Sequence, residues 1–242
     1  MTDTTTLTVT DSRRLTGSNI FWNRTGAILD VSIINTDKEK VISMWEKHCR
    51  VLLDALKWNS EGIKSRAYTD GASLVISAPI DCLYAATEIT EAAWQMTIDD
   101  INSRPSDINE TVKRLNNEIK KEQNPALIRL QQAAYKHQVK FLTDDDEVSL
   151  GYGQSCQVFA IDNIPDTDTI NWHNIKDIPV ALVTGTNGKS TTVRLASSVV
   201  KAAGKNCGIT STDYIRVGEN VLDTGDYSGP GGARTLLRHP KT

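Results

Sequence analysis

The run Val180-Ala181-Leu182-Val183-Thr184-Gly185-Thr186-Asn187-Gly188-Lys189-Ser190-Thr191-Thr192 constrains this 242-residue chain more than any other stretch. A short apolar run leads into a glycine turn, then a lysine, then three hydroxyl residues. A helical run from Val193 to Ala203 follows, and Gly204 stops it. Strand, tight loop and helix in that order make a polyphosphate grip. The helix start presents free N–H groups and a partial positive charge, and the glycines let the backbone come close. On this reading Gly185, Thr186, Asn187, Gly188, Lys189, Ser190 and Thr191 surround the phosphates of a nucleotide. Lys189 is the catalytic residue and meets the β- and γ-phosphate oxygens, while the Ser190 hydroxyl is the metal ligand that completes a magnesium shell. The expected cofactors are ATP and Mg2+. The strict Walker spacing asks for a glycine five residues before Gly188, where Val183 stands, so the pattern is GxNGKST. The competing reading is a glycine turn whose lysine faces solvent; the agreement of strand, loop chemistry and helix argues against it.

Length allows one large domain or two modest ones. With 39% hydrophobic and 24% charged residues the composition is that of an ordinary soluble globular chain. A net charge of −3 with interspersed signs gives no nucleic-acid footprint. No apolar run approaches the roughly 20 residues that span a bilayer, so no membrane partner is expected. The polar opening MTDTTTLTVTD lacks a basic start and an apolar centre, which does not fit a signal peptide. Cys49, Cys82, Cys156 and Cys207 are widely spaced without a CxxC pair, as for isolated buried thiols in a reducing cytoplasm. The expected location is cytoplasmic.

Residues 1–10 are threonine-rich and read as a frayed lead-in. Arg13 and Arg14 read as solvated arginines rather than an anion site. Gly17 to Asn19 reads as a turn and Ala27 to Ile34 as a strand. Asp37 opens a helix to about Trp58, with Val41, Trp45, His48, Leu52 and Leu56 on one stripe and His48 as a packed residue. Ser73 to Ala78 reads as a second strand. A helix from about Ile80 carries Ala85, Ile89, Ala92 and Met96 inward and leaves Glu88 and Glu91 exposed. Ser106 or Asp107 caps a helix that ends near Gln123, and Pro125 starts another at its first position. Val139 to Leu142 reads as a short strand, Asp144 to Glu147 as a solvated turn, and Val148 to Ile161 as a hairpin pair. Ile164 to Ile178 is rich in proline and aspartate and short of apolar periodicity. The expected domains are therefore 1–163, a linker at 164–178, and 179–242.

Beyond the glycine loop, Cys207 to Ser211 reads as a second parallel strand that closes a strand–helix–strand unit. Asp213 lies just past that strand, where it can reach a metal's waters or cap a turn. Tyr214 to Val217 and Val221-Leu222 flank Gly218-Glu219-Asn220 as a hairpin. Gly225 to Arg234 is a second glycine-rich segment, opening a last short helix through Leu237.

VTGTNGKSTT resembles the ATP-binding loop of the Mur ligase superfamily, which includes folylpolyglutamate synthetase and cyanophycin synthetase. Gly225, Asp226, Ser228, Gly229, Pro230 and Ala233 are similar to the GD-x-[ST]-GP segment of the cyanophycin synthetase branch. Arg14 to Asn19 resembles that branch's amino-terminal R-x-x-GPN stretch, with Ser18 in place of proline. The resemblance implies an α/β chain: an amino-terminal α/β (α+β) domain, then the first βαβ unit of a P-loop Mur-ligase central domain. It also implies an ATP-dependent, ADP-forming ligase that joins a carboxylate to an amine through an acyl phosphate. The implied partners are ATP and an unknown amino-acid or peptide substrate. The family pattern continues past this point with a metal-binding glutamate and a carboxyl-terminal domain. The expectation is a truncated or split ligase, a poor catalyst alone, assembling as a homo-oligomer or with the missing carboxyl-terminal portion. Two other readings stand beside it: a P-loop nucleotide-binding protein or NTPase, and a non-catalytic fragment that needs a partner chain.

Overall fold

The structure, a computed structural model, describes residues 5–242. It mixes helices and strands, as expected for an α/β chain, and divides into two compact units, Met1–Ile128 and Arg129–Thr242. The linker expected at 164–178 therefore falls inside the second unit.

In the first unit, strands β1 (Thr6–Leu15), β2 (Gly26–Ile34), β3 (Ile63–Tyr68) and β4 (Gly71–Ser77) form an antiparallel sheet in the order β1-β2-β4-β3. Ala27, Leu29 and Val31 on β2 stand opposite Ile76, Leu74 and Ala72 on β4, and all six are fully buried. The pleat puts partners on the same side, so these two rows make one apolar face. Helices α1 (Lys38–Ala55) and α2 (Leu83–Ile101) pack against the sheet, and α3 (Ile108–Glu122) packs on α2. Asp37 caps α1 by accepting from the Lys40 N–H at 3.1 Å, and Asp107 caps α3 by accepting from the Glu110 N–H at 3.0 Å. Trp45 is fully buried, and its indole N–H donates to the Thr90 carbonyl at 3.1 Å, which ties α1 to α2. The first turn of α2 has no cap of its own. Glu122, at the end of α3, supplies one: its two carboxylate oxygens accept from Tyr84 and Ala85 N–H, each at 2.8 Å.

Three expectations for this unit need correction, and one strand has no counterpart among them. Residues 6–10 are part of β1 rather than a frayed lead-in, while residues 1–4 lie outside the described part. Strand β3 reads IKSRAY, an edge strand too polar to show as a run of apolar residues. Glu88 is not free but pairs with Arg114. Arg13 is exposed, as expected, and pairs with Asp11 and Asp30, whereas Arg14 is half-buried and lies over the Tyr84 ring at 3.9 Å. His48 is a packed residue, as expected, with Nε2 2.9 Å from Asp100.

In the second unit, β5 (Phe141–Thr143), β6 (Glu147–Leu150) and β7 (Gln157–Ala160) form a small antiparallel sheet. Helix α4 (Pro125–Lys136) precedes it and runs across the division between the units. Short 3-10 turns at Thr167–Thr169 and Trp172–Asn174 lead to the glycine loop. After it come α5 (Lys189–Ala202), β8 (Gly208–Thr210), β9 (Tyr214–Val217), β10 (Asn220–Thr224) and α6 (Pro230–Leu237). Strands β8 to β10 form an antiparallel sheet in the order β10-β9-β8. Its Ile215 and Val217 side packs with Leu236 of α6 and with Tyr227; from the alternate position Arg216 donates to Ser197 of α5 at 3.1 Å.

Three corrections follow here. Val180–Val183 is irregular backbone, not a strand, and Leu182 is 89% exposed. Strand β8 pairs antiparallel with β9, so no parallel pair, and no βαβ unit, is closed among the described residues. A parallel strand needs neighbours and cover on both faces, and the described residues supply neither to Val180–Val183. The Asp144–Glu147 turn exists, but it is not merely solvated: Asp144 and Glu147 accept from the Arg238 guanidinium at 2.7 and 2.9 Å.

Candidate phosphate-binding site

The glycine loop is shaped by two residues outside ordinary L-residue backbone space. Gly185 has φ +147° and Gly188 has φ +80° with ψ 0°, the left-handed conformation, at the N-cap of α5. A side chain at Gly188 is disfavoured by this backbone rather than by crowding: apart from its chain neighbours, no atom lies within 4 Å of where a Cβ would stand. Helix α5 begins directly behind the turn, with its first internal bond from the Thr192 N–H to the Gly188 carbonyl at 2.9 Å. No side chain caps that start. An uncapped helix start of 14 residues keeps its outward N–H groups and its partial positive charge available to an anion.

Lys189 folds back over the loop. Its Nζ donates to the Gly185 carbonyl at 2.6 Å and lies 3.5 Å from the Thr186 carbonyl. An ammonium group needs acceptors, and the loop carbonyls are those at hand; phosphate oxygens at the same place offer stronger, charged ones. The Ser190 hydroxyl sits 3.5 Å from the Thr212 hydroxyl, so two hydroxyl oxygens from different elements converge at the helix start. Oxygen donors of this kind suit Mg2+, a hard cation that keeps several waters and takes few protein ligands. Gly185, Thr186, Asn187, Gly188 and Thr191 are exposed along the same turn, and Lys189 and Ser190 are half-buried. The sequence-derived residues thus lie together on one loop and helix start.

Asp213 does not cap the turn after β8; the Ser211 hydroxyl does, and the Asp213 carboxylate turns to an arginine. The Asp213 N–H donates to the Ser211 hydroxyl at 3.2 Å, and its carboxylate accepts from Arg194 of α5 at 2.6 Å. Thr212 was not singled out from sequence; only the return of the chain after β8 brings it to Ser190. The four cysteines are free thiols; Cys49 and Cys82 are buried as expected, while Cys156 and Cys207 are half-buried. Burial pushes the Cys82 thiol well up, with the Asp81 and Glu122 charges adding to it, so it is an inert thiol. Among the described residues no group of three or more His, Cys, Asp or Glu side chains is placed to hold a metal, and no helix is long and apolar enough to cross a membrane.

Comparison with known proteins finds relatives over about a quarter of the chain. The cyanophycin synthetase of Synechocystis sp. is 48% identical over 63 residues, 26% of this chain and 7% of that protein. The cyanophycin synthetase of Crocosphaera subtropica is 43% identical over 63 residues, again 7% of its length. The UDP-N-acetylmuramoyl-L-alanyl-D-glutamate–2,6-diaminopimelate ligase of Leptospira interrogans is 41% identical over 58 residues, 24% of this chain and 11% of that ligase. Over this stretch the chain carries Mur ligase superfamily sequence of the cyanophycin synthetase-like kind. The match spans well under a fifth of each of these relatives. No family model matches the chain.

Proposed function

We propose that the chain contributes the nucleotide-binding start of an ATP-dependent ligase that joins a carboxylate to an amine. In this reading the sequence divides, by the composition of the segment between, into an amino-terminal domain at 1–163, a linker at 164–178, and a partial Mur-type central domain at 179–242. The N–H groups from Gly185 to Thr191 and the Lys189 ammonium bind the phosphates of ATP, and Ser190 holds Mg2+, which supplies charge neutralisation at the terminal phosphate. A substrate carboxylate attacks that phosphate and forms an acyl phosphate, releasing ADP. An amine then displaces phosphate and forms the amide. The protein's part is positioning and electrostatic stabilisation. ATP with an amino-acid or peptide substrate, acting in the cytoplasm, completes the proposal.

The observation that carries it is the uncapped start of α5 behind a left-handed Gly188, with Lys189 curled over the same turn. The test is calorimetry of Mg-ATP binding to the whole chain. Lys189→Ala is expected to weaken binding by about 100-fold or more, the scale of losing one charged donor in a phosphate site. Unchanged binding removes the reading.

A second reading has its own observation. Helix α5 turns polar residues toward the β8–β10 sheet, through Arg194–Asp213, Ser197–Arg216 and Lys201–Glu219. Its Leu195 and Val199 are 63% and 69% exposed. A helix whose apolar stripe faces water is built to meet something further. On this reading the chain is a nucleotide-binding piece that becomes competent when a partner sheet takes in Val180–Val183 as a strand and covers α5, forming the first βαβ unit. ATP turnover measured with and without added amino acids separates the two. Acceptor-dependent ADP release supports the ligase, and acceptor-independent turnover or none supports the binding piece.

A further inference from the structure

Asp144, Glu147, Arg234 and Arg238 take no part in the proposed cradle, yet a continuous run of contacts within the second unit joins them to it. Arg238 is the C-cap of α6 and its side chain is 11% exposed. Its whole guanidinium is engaged by the β5–β6 hairpin. Nη1 donates to Asp144 at 2.7 Å and Glu147 at 2.9 Å, Nη2 donates to the Glu147 carbonyl at 3.2 Å, and Nε donates to the buried Ser149 hydroxyl at 3.1 Å. Arg234, one turn earlier, lies 3.4 Å from the same Asp144 carboxylate. Partly buried charged hydrogen bonds of this kind are shorter and stronger than neutral ones.

The other end of α6 continues the run. Gly232 lies so close to Tyr227 that an added Cβ would meet the Tyr227 carbonyl at 2.4 Å. The Tyr227 N–H donates to the Ser211 carbonyl at 2.8 Å, and the Gly225 N–H donates to the Asp213 carbonyl at 2.9 Å. Between those two bonds stands Thr212, whose hydroxyl faces Ser190 at 3.5 Å. The glycine-rich segment 225–232 is therefore a strap with one end anchored by arginines and the other hydrogen-bonded to the turn beside the P-loop.

We propose that Asp144 and Arg238 are positioning residues: by clamping α6 to the β5–β6 hairpin they hold residues 225–227 against residues 211–213, and so set where Thr212 stands beside Ser190. The mechanical half of this inference is independent of nucleotide; its effect on Mg-ATP rests on the ligase reading above. Arg238→Ala and Asp144→Asn are to be compared with wild type in the whole chain, by residue-resolved hydrogen exchange and by Mg-ATP calorimetry. Both variants are expected to speed exchange of the Gly225 and Tyr227 amides by about tenfold or more while the β9–β10 amides keep their protection. They should weaken Mg-ATP binding by about tenfold with Lys189 intact. Arg238→Lys keeps the charge but not the planar fork, and should recover part of both effects.

Unchanged exchange at Gly225 and Tyr227 overturns the proposal, because a purely local role for Arg238 ends at the hairpin. Faster exchange with unchanged nucleotide affinity overturns the positioning role. If Arg238→Ala does not fold, Asp144→Asn, which leaves Glu147 and Ser149 on the guanidinium, decides. If wild-type protein binds no Mg-ATP, the ligase reading fails, and the exchange result alone decides whether the strap exists.

Discussion

The first unit and the segment around the glycine loop show two ways in which one chain handles its apolar residues. In the first unit Leu29, Trp45, Leu52, Leu74, Ile76 and Ile89 are fully buried between one sheet face and two helices. Around the loop, Ile215 and Val217 are buried against Leu236 of α6, while Leu182, Leu195 and Val199 face water. A fully buried aliphatic side chain contributes roughly 1.5–3 kcal/mol, so leaving three of them outside forgoes several kcal/mol. The comparison teaches that the first unit is a self-contained core, whereas α5 is attached by exposed ion pairs such as Arg194–Asp213 and Lys201–Glu219, which contribute little each. The glycine loop thus rests mainly on its own turn and, as proposed above, on the strap from α6.

That contrast can be broken from its strong side first. Trp45→Ala removes a fully buried indole and the hydrogen bond between α1 and α2; it should destabilise the first unit by about 3–5 kcal/mol, read as a shifted denaturant midpoint. A smaller shift means that the core is looser than its burial indicates. Acid titration sharpens the contrast next, because the two units carry carboxylates shifted in opposite directions. Burial raises the pKa of Glu122, and the Ala85 and Tyr84 N–H groups only partly offset it. Its contribution to folding is complete below the unfolded carboxylate pKa, and is lost as pH rises through the raised folded value. Asp144 is also pushed up by burial, but the Glu147 N–H and the Arg238 guanidinium outweigh this and hold it below the usual carboxylate range. Its contribution is complete above the unfolded pKa and is lost as pH falls through the lowered folded value. Hydrogen exchange followed below pH 5 should therefore show Asp144→Asn flattening the acid sensitivity of α6, and Glu122→Gln leaving it unchanged. The smallest effect belongs to the exposed stripe: Leu195→Asp should change stability by no more than about 0.5 kcal/mol, as for other surface sites. A large loss there means that α5 is covered after all.

The periodic elements were legible in the sequence because their causes are local. Asp37 and Asp107 cap α1 and α3, as expected of an aspartate before an apolar stripe. The loop from Gly185 to Thr191 was legible because its glycines, lysine and hydroxyls are contiguous. Three things were not. Strand β3 is held by its pairing to β4, with little hydrophobic signal of its own. The Val180–Val183 run has strand composition, but a strand needs a neighbour, and composition does not say whether one is present. Asp144 and Arg238 stand 94 positions apart, and Thr212 and Ser190 stand 22 apart. No local pattern announces such meetings; only the fold of the second unit makes them. The similarity to cyanophycin synthetases spans 63 residues, 7% of the length of the Synechocystis protein, and leaves the rest of the chain to be argued from its own geometry.

The central claim is that the backbone amides from Gly185 to Thr191, with the Lys189 ammonium, form a cradle for nucleotide phosphates. Amide chemical shifts of the whole chain, recorded during titration with a non-hydrolysable Mg-ATP analogue, test it most directly. The account predicts saturable shifts largest at Gly188, Lys189 and Ser190, with smaller ones at Thr212, and none in β1 to β4. Shifts centred elsewhere, or none up to millimolar nucleotide, contradict it.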